Sequence, residues 1–267
     1  MVVGLDIFGE VFAEFADQYV VIGGTACDIV LSGTTMRPRG ATDDIDMILI
    51  VEKMTPEFGR AIWEFVERGG YENKLRKRGD GKEPVYELYR FQNPIEGYPV
   101  MIELLSRHSD MLGNPPSTFH IEPIPIGEDV PSLSAIILED DLYQFAIEKS
   151  IIENRVRIAT PIALICLKVR AYQNLLTDKA DGKKVNTKDI KKHRTDVLKL
   201  IATASITNPT AVTENIFNTI EWYIGNIRDL LSIENERQSL EGALDSDVDI
   251  IEGYLEALGE AFIKIEE

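Results

Sequence analysis

Residues 20–52 read VVIGGTACDIVLSGTTMRPRGATDDIDMILIVE. A β-branched run stops at Gly23-Gly24, a helical pattern follows from Thr25, and a loop rich in turn formers carries Arg37 and Arg39. An apolar strand then opens with Asp44 and Asp46. Strand side chains alternate, so both aspartates share one face, while Ile45 and Met47 point the other way. Ile48 and Ile50 continue the aspartate face as apolar residues, so the strand reads as buried on both sides except where the carboxylates emerge. Two like charges held this close repel, and each is costly to bury unpaired. A hard divalent cation such as Mg²⁺, commonly held by one or two carboxylates plus substrate phosphates, resolves the conflict. The plainer alternative is a strand end with two solvated acids.

Bulk properties bound the answer. The chain has 267 residues and 44% hydrophobic residues, enough for one or two domains with a substantial core. No apolar run approaches the roughly 20 residues of a membrane helix, and the N-terminal stretch MVVGLDIFGEVFAEF carries acids where a signal peptide carries bases. Cys27 and Cys166 read as reduced, buried thiols, which fits a cytoplasmic protein. A net charge of −17 argues against a surface coated for non-specific nucleic-acid binding. The charge is uneven, however: 74–82 and 179–199 are basic, and the stretch from Glu234 onward is acidic.

The rest of the chain divides by period. Leu5–Asp17 reads as an amphipathic helix, and Thr55-Pro56-Glu57 opens a helix that runs to Gly69-Gly70. Residues 71–78, 84–92, 99–106 and 119–126 are short alternating segments separated by Gly, Asn and Pro, as in hairpin-connected strands. From Asp141 the pattern is helical to the end, with helices near 141–149, 160–177, 185–203, 210–232 and 245–264. The expected fold class is α+β: a mixed-sheet domain over 1–139, then an all-helical domain over 140–267.

Gly23 and Gly24 lie between strand and helix, where missing side chains let backbone N–H groups approach a phosphate. The third glycine of a dinucleotide fingerprint is absent, and no Gly-Lys-Ser/Thr follows. Taken together, IGGTA and RPRGATDDIDMIL resemble the DNA polymerase β-like nucleotidyltransferase superfamily. The Arg-x-x-Thr-x-Asp-Ile-Asp variant is similar to AbiEii-type nucleotidyltransferases, which include toxins of toxin–antitoxin systems. The resemblance implies the nucleotidyltransferase fold, two Mg²⁺ ions on Asp44 and Asp46, a triphosphate loop at Gly23, Gly24 and Thr25, and nucleotide contacts from Arg39 and Thr42. It also implies a third metal-binding and catalytic carboxylate on a later strand. Glu103, alone among the apolar residues of YPVMIELLSR, fits that role, with Glu87 as its rival. TPIALICLKVRAY and KDIKKHRTDVLKLI resemble the family's next two helices, implying nucleotide contacts from Lys168, Lys192 and Asp196. Where relatives often carry an acid, this chain has His193.

The expected reaction moves a nucleotide monophosphate from an NTP to an acceptor hydroxyl and releases pyrophosphate. Three readings remain. One is a toxin-like transferase acting on RNA or protein, with an antitoxin partner. The second is an antibiotic-type transferase acting on a small molecule. The third is a catalytically silent nucleotide- or partner-binding module. Neither zinc spacing of Cys/His nor a G-x-S-x-G element is present, which excludes a zinc-finger or covalent-hydrolase reading.

Overall fold

A computed structural model describes residues 2–36, 44–76, 85–105, 139–204, 206 and 208–265, with the backbone alone at 73–76 and 85–89. Helix α1 (Leu5–Phe12) and a single 3-10 turn (Ala13–Phe15) lead into β1 (Tyr19–Ile22), α2 (Gly23–Val30) and β2 (Asp44–Leu49). The chain continues through α3 (Pro56–Arg68), β3 (Glu72–Arg76), β4 (Val85–Gln92) and β5 (Met101–Leu105). Later elements are α4 (Asp140–Glu148), β6 (Ser150–Glu153), β7 (Val156–Ala159), α5 (Pro161–Ala180) and α6 (Thr187–Thr203). β8 (Thr210–Val212), α7 (Glu214–Leu231), α8 (Glu234–Leu244), α9 (Val248–Glu260) and β9 (Phe262–Lys264) complete the fold.

The architecture is mixed helix and sheet, in line with α+β. Seven strands of the described residues form one sheet in the order β3-β4-β5-β2-β1-β7-β6, with β2–β5 and β1–β7 parallel and the other pairs antiparallel. The second half is not all-helical. β6 and β7 fold as a hairpin and extend the sheet, and β8 pairs parallel with β9 in a separate two-stranded ribbon. Runs of three or four residues are too short for period to separate strand from loop. The hairpin turns through Asn154 and Arg155, both at positive φ, and its inner strand buries Val156, Ile158 and Ala159.

Register fixes the two faces of the sheet. Tyr19 pairs with Leu49 and Val21 with Met47, and these side chains share a face with Ile102 and Phe91. On it α1 and α3 supply an aromatic cluster in which Phe12 meets Phe8, Tyr19, Phe58 and Phe65. Such edge-to-face and tilted pairs add to the area that the rings bury. α3 starts where sequence chemistry places it: the Thr55 hydroxyl accepts from the Phe58 N–H, with Pro56 at the first helical position. The opposite face carries Ile22, Asp46, Glu103 and Arg90 in one row across four strands. α4 is pinned to the end of β2, since the Tyr143 hydroxyl donates to Glu52 at 2.7 Å and accepts from the Val51 N–H.

Phe12 is 1% exposed at the centre of the ring cluster. Phe12→Ala is expected to cost about 3–5 kcal/mol by loss of packing and creation of a cavity. Urea unfolding checks this, and a loss below about 1 kcal/mol would show that the cluster does not hold α1 and α3 to the sheet.

Candidate active site

The site grows from the β1–α2 turn. Gly23 sits at φ 69°, in the left-handed region that glycine enters without cost, and it begins α2 directly from the strand. A Cβ there would lie 2.1 Å from Asp46 Oδ2, so the missing side chain is what lets the carboxylate of β2 reach the turn. Gly24 is the next residue of the first helical turn. Thr25 is fully buried, and its hydroxyl donates to the main-chain carbonyl of Asp44, tying α2 to the mouth of β2. Its side chain is therefore committed to the scaffold. The contribution that remains for a phosphate at this turn is main-chain N–H groups.

Asp46 and Glu103 are register partners on parallel strands, as are Asp44 and Met101, so all three acids stand on one face as the alternation predicts. Arg90 on β4 pairs with Glu103 from the other side: its Nε donates to Glu103 Oε2 at 2.9 Å and a terminal nitrogen to the same oxygen. The neutralising partner of the third acid is thus an arginine, which strand-by-strand reading did not find; its signal is a lone arginine among the aromatics of VYELYRF. The side chain of the rival Glu87 lies outside those described, as do Arg37, Arg39 and Thr42.

Helices α5 and α6 close over this face. Lys168 on α5 is 4% exposed and donates to Asp196 Oδ2 on α6 at 2.7 Å, with the Cys27 sulfur of α2 beside its ammonium. Burial opposes the lysine's charge, but Cys27 and Asp196 outweigh it and hold Lys168 above the usual lysine range. Burial in turn pushes the Cys27 thiol up to about 11. His193, one residue beyond Lys192, is pulled down to about 3 by burial and by the charges of Lys168 and Lys192, and its Nδ1 is buried without a hydrogen-bond partner. Arg170 lies elsewhere, bonded to Gln173, Asn215 and Glu139.

Asp46 feels the whole arrangement. Burial, then Glu103, then Asp44 drive its carboxyl up to about 7, against the opposing charges of Lys168 and Lys192. The turn, the two strands and the two long helices therefore bring Gly23, Asp44, Asp46, Glu103, Lys168, Lys192 and Asp196 into one electrostatic neighbourhood.

Among the described residues no three His, Cys, Asp or Glu side chains form a group arranged to hold a metal ion. The reason is visible in two of the acids: Glu103 is turned to Arg90, and Asp46 lies against Gly23. The donor chemistry suits a hard cation at the level of two carboxylates, because Asp44 and Asp46 stand on one face of β2. A pair of aspartates completed by phosphate oxygens fits; a closed three-carboxylate cage does not. No family model, curated protein or solved structure matches this chain.

Two outcomes follow from the electrostatics. The folded pKa of Asp46 lies above its unfolded one, so its contribution to stability is complete below about pH 4 and is lost as pH rises through about 7. At pH 8, without metal, Asp46→Asn is expected to raise Tm by several degrees, 1 kcal/mol being worth about 2–4 °C for a chain near this size. The gain should shrink towards pH 5, and Mg²⁺ should raise Tm of the parent but not of the variant. Parallel pH profiles for the two proteins would refute the clustered-acid reading.

The second concerns Lys168 and Asp196, with side chains 5% and 8% exposed. Removing one partner strands the other charge in the interior, so Lys168→Met should cost about 3–5 kcal/mol. Lys168→Met with Asp196→Leu should recover most of that loss. A double variant as unstable as the single one, measured by denaturant unfolding, would mean the pair is not the source of the cost.

Proposed function

We propose that this chain is a metal-dependent nucleotidyltransferase that moves a nucleotide monophosphate from an NTP to an acceptor hydroxyl. The observation that carries the reading is the half-buried Asp46 carboxylate, raised by desolvation and by its neighbours Glu103 and Asp44 and seated on the Gly23 turn. Clustered acids of this kind are unfavourable alone and become favourable around a cation, and perturbed carboxyls concentrate at functional sites. Structural ion pairs also perturb titration, which is why the metal-linked measurement above bears on the proposal.

In this scheme Asp44 and Asp46 hold Mg²⁺ together with the phosphates of the nucleotide. Mg²⁺, when bound, neutralises phosphate charge and polarises the reacting oxygens. The main-chain N–H groups at Gly23 and Gly24 face the triphosphate, and the positive charge of Lys168 and Lys192 attracts it. The acceptor oxygen forms a bond to the α-phosphorus as the bond to the bridging oxygen breaks, and pyrophosphate leaves. Arg90 occupies Oε2 of Glu103, so Oε1 is the atom that receives the acceptor's proton. Little covalent chemistry is asked of the protein; position and charge supply the rate.

An anionic acceptor such as RNA is favoured over a small cationic one by α6, where Lys188, Lys191 and Lys192 are exposed. Arg194, which sequence spacing would add to this flank, is buried and paired with Glu236 at 2.8 Å.

Incubation with Mg²⁺, each labelled NTP in turn, and total RNA, total protein or aminoglycosides as acceptors tests the proposal. Label should enter one acceptor class. Asp46→Asn should abolish transfer, and Glu103→Gln should retain nucleotide binding while losing transfer by ~10²-fold or more, as expected for removal of a positioned base. A folded, Mg²⁺-binding protein that transfers label to no acceptor would favour a silent nucleotide-binding module instead.

A further inference from the structure

We infer that Arg90 is a positioning residue that holds Glu103 away from the cation, dividing the three acids into two metal ligands and one carboxylate reserved for the acceptor. The inference rests on the metal-dependent reading of this site. Register supplies the first observation. Asp46, Glu103 and Arg90 follow one another in a single row across β2, β5 and β4, so Glu103 stands between an acid and a base. Adjacent strands lie about 4.8 Å apart, which puts both neighbours within reach of a glutamate side chain. The neighbouring row sets Asp44 beside Met101 and Gln92, so the strands place the arginine opposite the third acid and not opposite the aspartates.

Glu103 takes the side of the base. Arg90 Nε donates to Oε2 at 2.9 Å, and a terminal nitrogen donates to the same oxygen. Two charge-assisted bonds from a planar guanidinium fix direction as well as charge. The side chains are 18% and 8% exposed, so solvent and salt screen this pair far less than they screen a surface ion pair. Lys168 is engaged by Asp196 at 2.7 Å, so the cation that answers Glu103 is Arg90.

The alternative position of Glu103 leans towards Asp46. Without a cation that position adds a third negative charge to two, and with one it surrenders both bonds to Arg90. Two aspartates already meet the charge of a divalent ion, and phosphate oxygens complete its shell. Arg90 therefore keeps the third carboxylate out of that shell, and without nucleotide the ion is left with two protein carboxylates and water. This accounts for three acids that stand on one face while no three among the described residues converge on an ion site. Removing the guanidinium reverses the preference. Glu103, deprived of its partner in a buried position, is satisfied by moving towards the aspartates and the ion.

Titration of the full chain with Mn²⁺ alone tests this, since Mn²⁺ takes the same octahedral oxygen ligands as Mg²⁺. Paramagnetic resonance counts free Mn²⁺ and gives the affinity, and water-proton relaxation reports the waters that remain on the bound ion. Arg90→Gln is expected to bind at least about tenfold tighter than the parent, because ligand charge sets affinity at such sites, and to lose at least one water as Glu103 joins the ion. Arg90→Gln with Glu103→Gln removes both charges of the pair; it should return affinity to within about threefold of the parent and restore the water. No gain in Arg90→Gln would overturn the inference, as would tighter binding with unchanged hydration, which is the mark of a charge acting from a distance. If Arg90→Gln does not fold, the neutral double variant still decides. Hydration equal to the parent's supports the inference, and one water more than the parent's shows that Glu103 was already a ligand and overturns it. Asp46→Asn separates this inference from the reading beneath it, since it should abolish Mn²⁺ binding in every background. Binding retained there overturns the metal-site reading itself, whereas binding lost there with no gain in Arg90→Gln overturns the role of Arg90 alone.

Discussion

The structure turns on Asp46, half-buried beside two other acids. A carboxylate in that position is unfavourable by itself, and every neighbouring element answers it in some way. Gly23 yields the space of a side chain, Arg90 takes up the charge of Glu103, and Lys168 and Lys192 bring opposing charge from the helices above. What remains is a carboxyl poised near neutrality rather than a settled ion pair. That is the condition in which binding of a cation changes the stability of the fold.

The two faces of the central sheet show how such a site is tolerated. On one, rings from α1, α3 and β1 pack edge to face around Phe12 and hold the strands in register without any polar contribution. On the other, Lys168 and Asp196 are as deeply buried as that core, and their pairing contributes position more than stability, since buried ion pairs roughly balance attraction against desolvation. Lys168 is fixed by Asp196 and Cys27 on two different helices, so its charge is held in place over the sheet.

Much of the site was legible along the chain. A strand that alternates apolar residues with two aspartates commits both to one face, and a lone glutamate inside an apolar strand commits it to need a partner. Register then did what alternation predicted, setting Glu103 beside Asp46. Two side chains are tied up by contacts that spacing does not reveal: the Thr25 hydroxyl donates to the Asp44 carbonyl, and Arg194, within the basic stretch 179–199, pairs with Glu236. In both, spacing along one element says which residues share a face, but not which other element covers that face.

Local pattern was thus sufficient for most long elements, for the glycine turn between β1 and α2, and for the common face of Asp44, Asp46 and Glu103. These depend on periods of 2 and 3.6 and on the conformational range of glycine, which are properties of neighbouring residues. The short hairpin of β6 and β7, the Arg90–Glu103 pair and the Lys168–Asp196 pair depend on contacts between segments far apart in the chain. Ile158 becomes a central strand residue only because Val21 lies beside it, and Lys168 is stable as a buried cation only because Asp196 arrives from another helix. Long-range pairing decides these, since the free energy of a buried charge or a four-residue strand is set by its partner and not by its neighbours in sequence.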